Sequence, residues 1–221
     1  VSMHISGLEQ QLNTKLILRS NKQKNFLLTP DGELLYQRAK KVVHAYDEMM
    51  IEIKSQRETV QGTLKIGASL TIGEYLLPEI LSHLSKLYPE LTFEVMIENS
   101  HSIMEKVDQL ELEIGLIETD ELLLNLNRQS FYCDRLQIAY SDTLTLPSKV
   151  EQYRQFFCEQ TWLLRESGSG TRLMTDFFLE QFHIVPNYQI VLGSNYLVKE
   201  TLRQRSSVTF TSTLMKKQEF K

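Results

Sequence analysis

The spacing of apolar residues changes character twice along this chain and divides it into three stretches. In the first, Val1, Ile5, Leu8 and Leu12 recur at steps of four, three and four, which places them on one helical face and turns Ser2, Met3, His4, Ser6 and Gly7 outward. Two apolar runs, Leu16 to Arg19 and Asn25 to Thr29, then flank Ser20-Asn21-Lys22-Gln23-Lys24, a polar turn that predicts a β-hairpin. Pro30 and Asp31 open the second stretch, because proline suits a first helical turn and an acid there complements the helix dipole. Leu35, Ala39, Val42, Tyr46, Met49 and Ile53 follow at alternating steps of four and three, a heptad seam among Lys, Arg, Glu, Asp and Gln. The seam predicts a long dimerising helix; packing on its own domain is the alternative.

The third stretch begins near Gln61-Gly62, where the heptads stop. Thr63 to Ser69 reads as a strand, Tyr75 to Leu87 as an amphipathic helix, Leu91 to Ile97 as a strand, Ile103 to Leu110 as a helix and Glu113 to Ile117 as a strand. Phe131 to Tyr140 is placed as a crossing segment. A second series follows, with strands at Trp162 to Leu164 and Gln189 to Leu192, helices at Thr171 to Phe182 and Tyr196 to Arg203, and an apolar run at Val208 to Thr211. Strands alternating with helices of this length predict a parallel α/β sheet.

Charge changes the picture only when it is read locally. The 221 residues carry a net charge of −4, but residues 1–29 hold four bases (Lys15, Arg19, Lys22, Lys24) against one acid (Glu9). Hydrophobic residues make up 42% of the chain, ordinary for a packed core and too many for a disordered tail. Cys133 and Cys158 lie far apart without metal-ligand spacing, which predicts free, buried thiols in a reducing compartment. No apolar run reaches the length of a membrane span and no leader is visible, so a cytoplasmic protein is expected.

Ile5-Ser6-x-Leu8-Glu9-x-x-Leu12, then Leu16-x-Leu18-Arg19-Ser20, then Leu28-Thr29-Pro30-x-Gly32-x-x-Leu35 resembles the recognition helix, wing and linker-helix start of LysR-type transcriptional regulators. The resemblance extends through the α/β portion. It implies an α/β protein in which a winged helix-turn-helix DNA-binding domain and a linker helix precede a two-lobed effector domain of periplasmic-binding-protein type. On that plan residues 1–29 form part of the DNA-binding domain, 30–60 the dimerisation helix and 61–221 the effector domain. The two helices that precede the recognition helix in the family have no counterpart here. Further residues are expected near 203–207 and beyond Lys221, as in a trimmed record of a longer protein.

The resemblance implies that Ser2, His4 and Ser6 face DNA bases or phosphates and that Arg19, Lys22, Lys24 and Thr29 hold phosphates. Met3 and Gly7 stand where relatives carry longer polar or basic side chains. A paired helix would set two readers on the half-sites of a dyad-symmetric operator on double-stranded DNA. A dimer or a tetramer is compatible with the sequence.

In open α/β sheets the usable crevice lies at the carboxyl ends of the strands. Three segments meet that description: Ala68 to Gly73 with Ser69 and Thr71, Asn99-Ser100, and Gly168-Ser169-Gly170-Thr171. Their hydroxyls and the N–H groups of glycine-rich turns suit a small anionic metabolite as effector. Each residue is also an ordinary helix N-cap. Ser194-Asn195 reads as a cap, with lining of the same cleft as the alternative, Glu118 as a solvated loop acid, with a cleft acid as the alternative, and Arg172 as either a carboxylate partner or a surface residue. The five histidines show no metal spacing, and neither a metal site nor a cofactor is expected. Gly-x-Ser-x-Gly and Gly-x-x-x-x-Gly-Lys motifs are lacking, so the chain is not read as an enzyme. A solute-binding protein without a DNA-binding role is the alternative.

Overall fold

In the computed structural model, residues 2–18, 27–54, 60–119 and 126–215 are described. They fall into two compact units, Val1–Val60 and Gln61–Lys221.

The first unit contains α1 (Ser2–Leu12), a short antiparallel pair β1 (Ile17–Leu18) and β2 (Leu27–Leu28), and α2 (Pro30–Lys54). Side-chain bonds fasten the segment between α1 and β1. Glu9 Oε1 accepts from the Leu16 N–H at 2.9 Å and Glu9 Oε2 from Lys15 at 3.1 Å. The Leu16 N–H, followed by Lys15, holds the Glu9 carboxyl below the usual carboxylate range. Thr14 donates to Asp31 at 2.6 Å, tying the end of α1 to the first turn of α2. The proposed apolar face of α1 is only partly covered, with Leu8 42% and Leu12 50% exposed.

Among the described residues, the second unit holds two sheets. The first is parallel, ordered β4-β3-β5, from β3 (Gly62–Ser69), β4 (Leu91–Glu98) and β5 (Ile114–Leu116). Its helices are α3 (Leu70–Tyr75), α4 (Leu77–Leu87) and α5 (Ser100–Asp108). Ile66 and Ala68 of β3 pack with Ile72 and Leu77 to form this lobe's core. The sequence predicts one helix from Tyr75 to Leu87 after a loop; the chain instead turns helical at Leu70 and breaks at Leu76. Pro78 explains the break, because it has no N–H for the Glu74 carbonyl and its ring crowds that position.

The second sheet is ordered β6-β9-β7-β8, from β6 (Leu136–Tyr140), β7 (Thr161–Arg165), β8 (Tyr188–Leu192) and β9 (Val208–Ser212). β7 runs parallel to both β8 and β9, whereas β6 is antiparallel to β9, which corrects the all-parallel expectation. Residues 126–135 are irregular, and Leu136 to Tyr140, placed by sequence in a crossing segment, is a strand of this second sheet. The helices are α6 (Tyr153–Glu159), which the sequence reading passes over, α7 (Gly170–Gln181) and α8 (Asn195–Gln204). All five residues of β7 are buried. Trp162, fully buried among Phe157, Leu164, Leu179, Ile184 and Val208, satisfies its indole N–H on the Phe157 carbonyl at 2.8 Å.

α8 passes into β9 through Arg205-Ser206-Ser207. Arg205 N–H closes the helix on the Thr201 carbonyl at 3.0 Å, and Ser207 Oγ donates to the Arg205 carbonyl at 2.9 Å. The connection is short and hydrogen-bonded where further residues are expected from the resemblance. Cys158 is half-buried beside the Trp162 core, but Cys133 is exposed on the irregular segment, which corrects the expectation of two buried thiols. No helix among the described residues is long and apolar enough to cross a membrane.

Candidate functional site

The carboxyl ends of the parallel strands bring a polar cluster together between the two lobes. β3 ends at Ser69, the chain after β5 reaches Glu118, β7 ends at Arg165, and β8 leads into Asn195 at the start of α8. Ser69, Thr71, Ser100, Ser169, Thr171, Arg165 and Asn195 are all buried.

Glu118 is the hub on the first lobe. Its Oε2 accepts from Ser69 Oγ at 2.9 Å, and its backbone N–H donates to Ser100 Oγ at 3.3 Å. The Thr71 hydroxyl also favours the ionised Glu118 side chain. Burial pushes the Glu118 carboxyl above the usual carboxylate range; the Ser69 and Thr71 hydroxyls oppose this, Asp134 adds to it, and Arg165 opposes it. The sequence offers Glu118 as a cleft acid but favours a solvated loop. The structure reverses that preference, because the short β5 delivers it directly against the end of β3.

Asn195 joins the lobes. Its Nδ2 donates to Glu74 Oε2 at 3.0 Å and to Thr71 Oγ1 at 3.5 Å, while its Oδ1 accepts from Arg165 Nη1 at 2.6 Å. Arg165 is further held by Glu166 through two bonds of 2.8 Å. Ser194, which caps α8 through the Leu197 N–H, is the structural residue of that pair, and Asn195 is the one that reaches the cleft.

The Gly168-to-Thr171 turn closes against the first lobe. Gly168, at φ +86°, accepts the His101 N–H on its carbonyl at 3.2 Å, and a Cβ there would crowd His101 and Asn99. A Cβ on Gly170 would collide with the Glu118 carbonyl. Asn99 and Ser169 serve as N-caps, accepting from the Ser102 N–H at 2.9 Å and the Arg172 N–H at 3.4 Å. Ser69 makes no capping bond, so its hydroxyl belongs to the cleft. Thr171 Oγ1 is buried and has no hydrogen-bond partner among the described residues. Arg172 is engaged by Asp176 and by the Arg165 carbonyl. A cavity of about 140 Å³ opens beside this turn, lined by Thr119, Ser167, Arg172 and Asp176 among others. A larger groove of about 580 Å³ runs along α4 to Phe131 and Tyr132 and holds none of these hydroxyls.

In the first unit, His4 and Ser6 are exposed on α1. Arg19, Lys22 and Lys24 lie outside the described residues, as do the side chains of Ser2 and Ile53. Thr29 is occupied as a cap: its Oγ1 donates to the Lys15 carbonyl and accepts the Gly32 N–H at 3.0 Å. Along α2, Leu35 is half-buried and Ala39 exposed, and Val42, Tyr46 and Met49 are 70%, 57% and 45% exposed.

Known proteins match both the sequence and this fold. The profile of the LysR substrate binding domain matches residues 57–221. The HTH-type transcriptional regulator CysL of Bacillus subtilis is 41% identical over 202 residues, 91% of this chain and 67% of CysL. Full-length OxyR from Pseudomonas aeruginosa superposes with a TM-score of 0.73 at 19% identity, covering 96% of this chain and 68% of OxyR. The Synechocystis CcmR regulatory domain, solved in complex with 2-PG, gives a TM-score of 0.65 at 21% identity over 73% of this chain and 77% of that domain. The chain therefore belongs to the LysR-type transcriptional regulators, and residues 57–221 contain the family's substrate-binding domain.

Proposed function

We propose that this regulator binds a small anionic metabolite between the lobes of its periplasmic-binding-protein-like domain and transmits that event to a winged helix-turn-helix bound to DNA. The observation that carries the effector reading is Thr171 Oγ1, a buried hydroxyl left unpartnered at the start of α7. Its neighbour Gly170 abuts Glu118, the residue that gathers Ser69, Thr71 and Ser100. An orphan donor in such a place is costly unless a ligand uses it. The small ligand of the similarly folded CcmR domain supports the same reading. Effector binding shifts the balance between lobe arrangements and so the spacing of the DNA readers.

On the DNA side, exposed His4 and Ser6 with Ser2 form the reading row of α1, and Arg19, Lys22 and Lys24 neutralise phosphates. Thr29 supports them indirectly by fixing the start of α2. The exposed Val42, Tyr46 and Met49, continued by Leu35, Ala39 and Ile53, form the dimer seam that matches a dyad-symmetric operator. Such a protein works in the cytoplasm and performs no catalysis. A thermal-shift screen of small carboxylates, phosphates and sulfur oxyanions tests the reading. A binding anion should stabilise wild type, lose that effect in Thr171→Val and Ser69→Ala, and alter the operator footprint; an unaltered footprint counts against it.

A further inference from the structure

The hydroxyls that line the cleft are already committed, and the direction of that commitment is set by one carboxyl group. Ser69 Oγ can only donate toward an ionised Glu118 Oε2, 2.9 Å away, because a carboxylate has no proton to offer. The Thr71 hydroxyl likewise favours the ionised Glu118, and its oxygen accepts from Asn195 Nδ2 at 3.5 Å. Each hydroxyl owns a single proton. With both protons turned to Glu118, Ser69 and Thr71 present only lone pairs to the cleft, and an anion there meets acceptors and a partly buried negative charge.

We propose that Glu118 makes anion binding in this cleft conditional on uptake of one proton, which frees one of the Ser69 and Thr71 hydroxyls to turn its proton toward the ligand. A protonated carboxyl becomes a donor. It can bond one hydroxyl oxygen, whose own proton then points into the cleft. The step is a simple association in which Glu118 gains a proton from solvent as the anion enters, so no bond is made or broken elsewhere.

The surroundings favour this proton. Glu118 is partly withdrawn from water, and Asp134, whose Oδ1 accepts from Ser212, adds a like charge. Arg165 opposes protonation, but its guanidinium is shared by Glu166 and Asn195. Among the described residues, the other charged or titratable groups brought by the surrounding elements are Glu74 of α3, bonded to Asn195; Glu98 of β4, paired with Lys106 of α5; His101 of α5, beside Glu105; and Arg172 of α7, paired with Asp176. None of these pairs places a free cation on Glu118.

The proposal rests on the effector-cleft reading above, and inorganic sulfate separates the two, because sulfate keeps both charges throughout the useful pH range. Titration calorimetry on the full chain, in buffers of differing ionisation enthalpy, should register uptake of about one proton, with affinity falling about tenfold per pH unit once Glu118 is ionised. Glu118→Gln, whose amide donates without titrating, should bind sulfate without pH dependence and more tightly than wild type at alkaline pH. Sulfate binding that is pH-independent in wild type but weakened by Ser69→Ala overturns the proton coupling and leaves the cleft reading intact. Binding untouched by Ser69→Ala, or no binding by wild type and Glu118→Gln alike, overturns the anion cleft and the coupling with it. Affinity that rises with pH also overturns the coupling.

Discussion

Asn195, at the start of α8 in the second lobe, donates to Glu74 of the first lobe at 3.0 Å while holding Arg165 through its other amide atom. One side chain thus satisfies a buried guanidinium on its own lobe and a carboxylate on the other. Asn195→Ala leaves Arg165 short of a partner in a buried place, and the expected loss is about 1–3 kcal/mol of unfolding free energy. Urea unfolding measures that loss, and small-angle scattering should detect a more open second unit.

Gly170 gives a sharper test of how closely the lobes meet. Gly170→Ala drives a methyl into the Glu118 carbonyl, whereas Gly193→Ala adds one to open space. Overpacking of this kind costs about 1–3 kcal/mol, so the first variant should unfold earlier in denaturant and the second should behave like wild type. Equal midpoints would refute the close approach.

Stability should depend on pH through Glu118. Its folded carboxyl binds a proton more tightly than the unfolded one, because burial dominates its environment. The group therefore contributes stability that is fully present below the unfolded carboxylate pKa and is lost as pH rises through the raised folded value. Thermal midpoints of wild type should fall across that window, and Glu118→Gln should flatten this part of the profile.

Val42 and Tyr46 are 70% and 57% exposed on α2. If a second copy covers them, each contributes about 1.5–3 kcal/mol to association. Val42→Asp or Tyr46→Asp should then raise the dimer dissociation constant by at least about tenfold, since about 1.4 kcal/mol corresponds to that factor. Sedimentation equilibrium reads the change, and operator affinity should drop with it.

Much of this architecture is legible in residue spacing, and the failures have physical causes. The run from Thr63 to Ser69 and the helix after Gly170 stand where the pattern places them: the strand is buried on both faces from Ile66 to Ser69, and the helix buries one stripe, Thr171, Thr175 and Leu179. The break at Leu76 is signalled by Pro78, but the apolar series from Leu76 to Leu87 spans it smoothly and hides it. The antiparallel β6 leaves no local trace, since strand direction depends on where the chain travels through residues 126–135. Ser69 and Thr71 stand out as hydroxyls before a helix, yet only tertiary structure reveals that they bond Glu118 and Asn195 instead of capping. Arg165 and Asn195 were invisible as a pair because 30 positions separate them.

The place of β9 has a consequence for how the protein is made. It comes after β6, β7 and β8 in the chain but lies between β6 and β7 in the sheet. During synthesis every described strand of the first lobe has emerged once Leu116 is made, and these strands can begin to pair while translation continues. The second must wait with a slot open between β6 and β7, where Trp162 of β7 awaits the register with Val208. Ribosome stalling before residue 208 should therefore leave a nascent chain whose N-terminal half resists protease and whose later half does not.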